Sequence, residues 1–272
     1  MRGRRPLPCK GDEGEIMRIT SRSNGRIKDI CRLISSGRFR NENGLFVIEG
    51  LRICTDAMQS NIKFRTLLVS DTALVKHKDA ADELAKSAGE VITLPDSLFE
   101  TLSDTKSPQG IMAVCEIPSH KYEIKQGAKY IALETLSDPA NLGTIARTAE
   151  AVGIDALILS ADSCDHYSPK ALRAGMGSLF RLPVIIADNF TDYMEELKQN
   201  GFKIYAAVPD NSAKSVKETD FSGSAAVMIG NEGNGLSECA KALGTKVTIP
   251  MKGRAESLNA AAAASIIIWE ML

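Results

Sequence analysis

Short apolar runs that alternate with helical stretches constrain the C-terminal half of this chain more than any other feature of its sequence. The predicted strands in that half are 130–133, 156–159, 184–186, 203–207, 225–229 and 246–249. Because strands joined by helical crossovers pair in parallel, the alternation predicts an α/β domain with a mostly parallel sheet. No G-x-G-x-x-G motif follows the first strand, which argues against a dinucleotide-binding site of the Rossmann type.

The N-terminal part of the chain alternates in the same way. Its predicted strands are 45–48, 66–69, 91–93 and 111–115, and its predicted helices include 50–60, 79–88 and 95–102. This pattern indicates a small α/β sandwich. The segment 118–127 is polar and interrupts the apolar rhythm, so we place an interdomain linker there. We therefore expect one domain over residues 17–117 and a second over residues 128–272.

Composition limits the classes of protein to which the chain can belong. Its 272 residues are 44% hydrophobic and 25% charged, which is ordinary for a globular protein of two domains. The six cysteines are scattered without a CxxC pair, so neither a disulfide framework nor a zinc site is indicated. No apolar run reaches the roughly 20 residues that a bilayer requires. We expect a cytoplasmic protein that uses no metal.

Positive charge is concentrated near the start of the chain, although the net charge is only −1. Residues 17–40 carry seven basic side chains and one acidic side chain. Within this stretch Ile27, Ile30, Cys31 and Ile34 recur at helical spacing, which predicts a helix with one buried stripe and outward-facing arginines. An RNA backbone is the obvious partner for such a surface. The alternative is a basic helix that contacts only solvent.

The segment before this stretch has a different character. Residues 1–16 combine arginines, prolines and acidic residues without an apolar core, so they cannot act as a signal peptide. We expect them to form a disordered extension. The alternative is an ordered arm that contacts RNA.

Three segments rich in glycine, asparagine or alanine stand out in the C-terminal half, at 141–153, 229–237 and 249–265. The first places Asn141 before a predicted helix whose first turns carry Arg147. A guanidinium at such a place can face a polyanion or a reacting hydroxyl. Taken alone, however, Arg147 would be interpreted as an ordinary surface arginine.

The other two segments follow predicted strands. In the second segment three glycines surround the carboxylate of Glu232, so the backbone there can approach a ligand closely. In the third, Pro250 ends the strand, Ser257 is a predicted N-cap, and an alanine run predicts a tightly packed helix from about Leu258 to Leu272. Turn residues, polar side chains and apolar flanks that recur in three distant segments indicate one composite site.

In these motifs the chain resembles the SpoU (TrmH-type) branch of the SPOUT methyltransferases. The motifs are, in order, N-x-G-x-x-x-R, G-N-E-G-x-G-L-S and I-P-M-x-G-x-x-x-S-L-N. Members of that family methylate ribose 2′-hydroxyls of RNA with S-adenosylmethionine. The resemblance covers about residues 128–272, and upstream the segments SRSNGRIKDICRL and GLFVIEGLR resemble an L30e-like substrate-binding domain.

The resemblance implies further properties of the whole protein. The C-terminal sheet is expected to carry the family's deep trefoil knot, a known exception to the rule that chains do not thread loops. A homodimer is expected through the same domain. The two-domain organisation points to ribosomal RNA as the substrate, with 23S rRNA as the first choice. Three alternatives stay open: a tRNA ribose methyltransferase, an enzyme that methylates a base nitrogen, and an inactive RNA-binding protein of the same fold.

The last helix supplies an argument of its own for the dimer. It carries more apolar side chains than one helix face needs, so a partner is expected to cover some of them. These residues are Ile266, Ile267, Ile268, Trp269, Met271 and Leu272.

The resemblance also assigns roles to individual residues. The catalytic set is Arg147, Asn141, Glu232, Ser257 and Asn259. Arg147 would either bind the phosphate beside the reacting ribose or help to remove the hydroxyl proton. Because a guanidinium normally stays charged, we favour the phosphate role. Asn141 would orient Arg147 or the ribose.

Cofactor and RNA contacts complete the predicted site. The residues expected to contact S-adenosylmethionine are Val208, Gly230, Ile249, Met251 and Leu258. The segment 168–184 also resembles the family, and it contributes Ser168, Lys170 and Arg173 as expected RNA contacts. The basic stretch at the start of the chain contributes Arg22, Arg26 and Arg32.

Overall fold

The computed structural model describes residues 16–118, 122–210 and 212–272. Its contacts divide the chain into two compact units, Met1–Ser119 and His120–Leu272. The predicted extension 1–16 lies outside the described residues except for Ile16, which begins the first strand.

The N-terminal unit is built on a mixed five-stranded sheet. Its strands are β1 (Ile16–Arg18), β2 (Leu45–Glu49), β3 (Phe64–Ser70), β4 (Val91–Leu94) and β5 (Ile111–Glu116). Its helices are α1 (Gly25–Ser35), α2 (Gly37–Asn43), α3 (Leu51–Gln59), α4 (Asp71–Lys76), α5 (Lys78–Lys86) and α6 (Asp96–Leu102). In the order β1-β4-β3-β5-β2, the first three strands are parallel, whereas β5 is antiparallel to both of its neighbours.

The predicted amphipathic helix at the start of this unit is present as α1. Ile27, Ile30 and Leu33 are buried in the apolar core of the unit. The buried stripe differs in detail from the prediction, because Cys31 and Ile34 are only half-buried. Full burial of each large aliphatic side chain contributes about 1.5–3 kcal/mol. The apolar spacing therefore fixes which face of α1 remains outside.

The C-terminal unit is built on a seven-stranded sheet in which every described strand pair is parallel. Its strands are β6 (Lys129–Leu133), β7 (Ala156–Ser160), β8 (Val184–Ala187), β9 (Lys203–Ala207), β10 (Lys214–Ser215), β11 (Ala225–Ile229) and β12 (Thr245–Thr248). Its α-helices are α7 (Pro139–Val152), α8 (Pro169–Gly175), α9 (Ser178–Arg181), α10 (Phe190–Gln199), α11 (Glu238–Leu243) and α12 (Ala260–Glu270). The strand order is β10-β12-β9-β11-β6-β7-β8.

This architecture confirms the predicted α/β fold with a mostly parallel sheet. Strands β7 and β11 are buried along their whole length, which explains why they appear in the sequence as continuous apolar runs. None of the described helices combines the length and the apolar character that crossing a bilayer requires.

The predicted linker is partly a piece of the C-terminal unit. Tyr122 and Ile124 pack against the apolar core of that unit. The ring of Tyr122 meets that of Tyr130 edge-on, with the centroids 5.9 Å apart. The polar character of 118–127 hid these two anchoring side chains.

The predicted start of the last helix is wrong. Asn259 and not Ser257 caps α12, because its Oδ1 accepts hydrogen bonds from the backbone N–H groups of Ala261 at 2.9 Å and Ala262 at 3.3 Å. Two of the four unpaired N–H groups of the helix are thereby satisfied. Ser257 lies in the loop before the cap.

Candidate active site

The loops after β6, β9, β11 and β12 meet at one edge of the C-terminal sheet, because these strands are parallel and neighbouring. In open α/β sheets ligands bind outside the carboxyl ends of the strands. A cavity of about 360 Å³ opens at this edge, with walls from the loops after β9, β11 and β12 and from α12. This volume is in the range of small-molecule sites.

All five residues that were predicted to contact the cofactor line this cavity. They are Val208, Gly230, Ile249, Met251 and Leu258. Ile249, Met251 and Leu258 give it apolar walls, while the glycine-rich loop after β11 brings backbone close to its interior. The cavity therefore offers an apolar slot beside backbone polar groups, which is the environment that an adenine ring requires.

Gly230 is needed for the shape of that loop. A Cβ at this position would lie 2.1 Å from the backbone nitrogen of Leu236, so a larger residue cannot fit unless the loop opens. The loop is closed by a pair of backbone hydrogen bonds between Asn231 and Gly235, with N···O distances of 3.1 and 2.9 Å.

Glu232 joins this loop to the start of α7. Its carboxylate accepts hydrogen bonds from Asn141 Nδ2 at 2.9 Å and from the backbone N–H groups of Ser137 and Asp138, both at 3.3 Å. Burial acts to raise the pKa of Glu232, but the hydrogen bonds, chiefly that from Asn141, outweigh burial and lower it. A carboxylate held in this way stays ionised and serves as an anchor between two loops.

A second amide extends this anchor to the third motif. Asn259 Nδ2 donates to Asn141 Oδ1 at 3.1 Å, so Asn259, Asn141 and Glu232 form a continuous chain of hydrogen bonds. Asn141 lies in the first turn of α7, which begins at Pro139 and not after Asn141 as predicted. The amide of Asn141 is thus engaged with the other two motifs, and no hydrogen bond to Arg147 is present in the described part of the chain.

Arg147 and Ser257 are the two predicted catalytic residues that take no part in this chain of hydrogen bonds. Arg147 is exposed on α7, and within the described residues it has no hydrogen bond or ion pair. Ser257 is exposed as well and lines the cavity. The guanidinium of Arg147 is therefore available to an anion that arrives from solvent.

The three residues of segment 168–184 that were predicted to bind RNA support α8. Ser168 caps this helix by accepting a hydrogen bond from the backbone N–H of Ala171 at 3.3 Å. Lys170 Nζ lies 2.7 Å from Asp138 Oδ1, and this contact is the main reason that the pKa of Asp138 is lowered. Arg173 is half-buried in the last turn of α8. RNA contacts of these residues stay a prediction.

Helix α8 also packs closely against α7. A Cβ at Gly143 would lie 2.3 Å from the carbonyl oxygen of Ala171, so the glycine of the first motif allows the two helices to approach. Two residues in the left-handed region, Met176 at φ 49° and Gly177 at φ 81°, separate α8 from α9.

The basic residues of the N-terminal unit are not equally accessible. Arg22 is exposed before α1, and Arg32 is exposed with its guanidinium 3.8 Å from the centroid of the Phe39 ring. Arg32 Nη1 also lies 3.6 Å from Asp29 Oδ1, and Arg26 forms an ion pair with Glu90, so an RNA phosphate would have to displace an acidic partner at both residues.

Another member of the basic stretch is buried. Only 4% of Arg40 is exposed, and its guanidinium donates hydrogen bonds to the carbonyl oxygens of Leu33 at 2.5 Å and Ile34 at 3.0 Å. Arg40 thus satisfies carbonyl groups near the C-terminal end of α1, where a positive charge is also favourable. The positive surface is therefore smaller than the count of basic residues indicates.

Sequence reasoning did not assign two residues that organise the site. Asn231 belongs to the second motif, and its amide bonds to the loop after β6. Thr135 lies in that loop with a φ of 55°. The motif could have directed attention to Asn231, whereas no sequence signal marks the backbone conformation of Thr135. Within the described residues no group of three or more His, Cys, Asp or Glu side chains could hold a metal ion.

Comparisons with known families agree with this geometry. A model of the SpoU rRNA Methylase family matches residues 128–269. The chain belongs to this family. A model of the MRM3-like substrate binding domain matches residues 24–113, within the N-terminal unit. The SpoU match contains the cavity, the chain of hydrogen bonds and Arg147.

Relatives of this SpoU family member align with nearly all of it. The 23S rRNA (guanosine(2553)-2′-O)-methyltransferase RlmP of Bacillus subtilis is 32% identical over 257 residues, which cover 94% of this chain and 99% of that protein. The 23S rRNA (uridine(2479)-2′-O)-methyltransferase of Streptomyces viridochromogenes is 32% identical over 93% of this chain and 91% of its own length. The AdoMet-bound rRNA methyltransferase structure from Sinorhizobium meliloti has a TM-score of 0.84 at 30% identity and covers 95% of this chain and 98% of that one.

Proposed function

We propose that this protein transfers a methyl group from S-adenosylmethionine to a ribose 2′-hydroxyl of 23S ribosomal RNA. The observation that carries the proposal is that three distant motifs meet at one edge of the sheet. Asn259, Asn141 and Glu232 form one chain of hydrogen bonds, and Glu232 also lines the cavity. The names of relatives that align over nearly their full length support ribosomal RNA as the substrate.

The cavity fits S-adenosylmethionine, which supplies a methyl group activated by a sulfonium. Ile249, Met251 and Leu258 would hold the adenine ring between apolar surfaces, and the backbone near Val208 and Gly230 would supply its polar contacts. The sulfonium itself activates the methyl group, so no metal is needed for this transfer.

The residues around the cavity would divide the work of the transfer. A ribose 2′-hydroxyl is a poor nucleophile at neutral pH, so it must be aligned with the methyl group and must give up its proton, to water or to the phosphate that Arg147 would bind. Arg147 would bind the adjacent phosphate, align the hydroxyl and stabilise the negative charge that develops on the oxygen. Asn141 and Glu232 would hold α7 against the loop after β11, here called the cavity loop, since their polar atoms are engaged with each other. Ser257 and Asn259 would complete the polar wall.

The same proposal includes a homodimer of knotted C-terminal domains in the cytoplasm. Ile266, Trp269 and Leu272 of the C-terminal helical segment have exposed fractions of 38%, 67% and 63%. They recur every three residues, so they form one apolar stripe that a second copy would cover. We expect light scattering at micromolar concentration to give the mass of a dimer; a monomeric mass would contradict this part of the proposal.

Mapping of 2′-O-methylation in RNA from cells with and without the protein tests the function. We expect one ribose of 23S rRNA to lose its methyl group when the protein is absent. The purified protein should restore it in vitro with S-adenosylmethionine in the presence of EDTA. Loss of a tRNA methyl group instead would support the tRNA alternative. RNA binding without any transfer would support the inactive alternative.

The basic residues of the N-terminal unit give a separate prediction about RNA binding. The double change Arg22→Gln and Arg32→Gln should lower the slope of log affinity against log salt by about 1.5, because each lost phosphate contact removes about 0.7–0.9 from it. Turnover at saturating RNA should persist. The matched control is Arg38→Gln with Lys86→Gln, which removes two charges that pair with Glu42 at 2.9 Å and Glu83 at 2.6 Å, closer than the 3.6 Å between Arg32 and Asp29. Equal salt slopes for the two double variants would mean that Arg22 and Arg32 contact only solvent.

A further inference from the structure

Thr135 has a backbone conformation that its side chain disfavours. It lies between β6 and α7 with a φ of 55°, in the left-handed region. A β-branched residue in this region is a genuine outlier, and such strain persists only where the surrounding structure holds it. Strained residues of this kind cluster at functional sites. Contacts beside the start of α7 must therefore hold Thr135 in this conformation.

Hydrogen bonds fix Thr135 from three directions. Its backbone N–H donates to Ser160 Oγ at 2.7 Å, and its hydroxyl donates to Asp162 Oδ2 at 2.9 Å. Its carbonyl oxygen accepts from Asn231 Nδ2 at 2.8 Å. Both backbone polar groups and the hydroxyl are thus engaged, and one of these partners belongs to the loop that lines the cavity.

The amide of Asn231 is used in full. Its Nδ2 donates to the carbonyl oxygen of Thr135 and to Ser137 Oγ, both at 2.8 Å. Its Oδ1 accepts from the backbone N–H groups of Gly233 at 2.8 Å and Asn234 at 3.2 Å. The oxygen of this side chain therefore shapes the loop after β11, while its nitrogen ties that loop to the one after β6.

We propose that Thr135 and Asn231 are positioning residues for the methyl transfer, and that they act as a latch between the cavity loop and α7. This inference rests on the proposed function. The turn at Thr135 directs the N–H groups of Ser137 and Asp138 toward Glu232. Because α7 is a continuous helix, the latch also sets where its exposed Arg147 stands relative to the cavity.

The expected fall in kcat follows from the precise geometry that group transfer requires. A displacement of about 1 Å in a reacting geometry can lower the rate by about 10²-fold. A loosened latch should therefore lower kcat far more than it weakens cofactor binding, because the oxygen contacts of Asn231 that shape the loop after β11 are kept and the walls at β9, β12 and α12 remain in place.

The first test is the change Asn231→Asp. The substitution keeps the oxygen that accepts from Gly233 and Asn234, but it places a carboxylate oxygen against the carbonyl oxygen of Thr135. We expect kcat to fall by at least about tenfold and the KM for S-adenosylmethionine to rise by no more than about threefold. The matched control is Asn200→Asp, which alters an exposed asparagine at the end of α10 and should leave both constants unchanged.

The second test separates backbone strain from the hydroxyl of Thr135. Thr135→Ala and Thr135→Gly both remove the hydroxyl, but only glycine adopts a φ of 55° without steric cost. We expect the glycine variant to exceed the alanine variant in kcat by about fivefold or more. Equal rates would overturn the inference that the left-handed turn positions α7.

Hydrogen exchange provides a readout that does not depend on activity. In Asn231→Asp the amides of Ser137 and Asp138 should exchange at least about tenfold faster than in the wild type. Unchanged exchange would overturn the latch even if the wild type methylates RNA. If exchange is faster in Asn231→Asp but the wild type methylates no RNA, the proposed function is wrong, and the positioning role with it. The contact between the two loops would still stand. A fall in apparent kcat that only matches the loss of folded protein, measured by thermal unfolding of the same sample, would reduce the role to stability.

Discussion

Replacement of Arg147 with alanine is expected to lower kcat for methyl transfer by about 10³-fold, the size of effect seen when a group that stabilises developing charge is removed. The dissociation constant for S-adenosylmethionine should stay within about twofold of the wild-type value. The reason is positional, because Arg147 is exposed on α7 and is not among the residues that line the cavity. Its guanidinium would act on the RNA and not on the cofactor.

Single-turnover rates at saturating RNA, together with calorimetry of cofactor binding, measure the two quantities separately. Arg147→Lys should recover only a small part of the rate, since an ammonium cannot bind phosphate through two parallel hydrogen bonds. Lys125→Ala is the matched control: it removes an exposed cation before β6, at the opposite end of that strand from the cavity. Loss of cofactor binding in Arg147→Ala would contradict the assignment of this residue to RNA.

The strands of the C-terminal sheet could be predicted because the buried ones are unbroken apolar runs, as in β7 and β11. The three-residue β1 and the two-residue β10 could not, because such short strands have no period of their own. Strand β1 is defined by its pairing with β4, and β10 by its pairing with β12. Both partners lie far along the chain and become neighbours only in the folded protein.

The sequence predicts residues for the candidate site, but it does not predict the contacts among them. Ser257 and Asn259 are both good N-caps, and only the structure reveals that Asn259 caps α12 while it also reaches Asn141. The ion pair of Arg26 with Glu90 joins residues that are 64 positions apart, so a pattern of local charge cannot contain it. Charge counted along the sequence therefore overstates the positive surface.

The glycines of the motifs show the same difference between what the sequence predicts and what only the structure reveals. Their presence in the sequence indicated that backbone approaches something closely, but not what. At Gly143 the neighbour is the backbone of α8, and at Gly230 it is the far side of the same loop. Both are packing requirements within the protein. The missing Cβ of these two glycines thus affects ligand binding indirectly, through the shape of the walls.

Gly230→Ala is accordingly expected to weaken S-adenosylmethionine binding by about 10²-fold. The added Cβ would lie 2.1 Å from backbone atoms of Gly235 and Leu236, and no rotamer change can relieve an overlap with backbone. Overpacking of this kind costs about 1–3 kcal/mol, which corresponds to about 5- to 150-fold in a binding constant. The loop must open, and the wall of the cavity moves with it.

Gly233→Ala is a matched control in the same loop. A Cβ there would meet only Asn231 Oδ1 at 3.4 Å, an ordinary contact, and this glycine does not have a positive φ. Calorimetry should therefore give a dissociation constant within about threefold of the wild type for Gly233→Ala and the large loss only for Gly230→Ala. Thermal unfolding of both variants separates loss of the site from loss of the fold. Equal cofactor affinities for the two folded variants would mean that the loop after β11 is not a wall of the cofactor site, and that the cavity binds its ligand through β9, β12 and α12 alone.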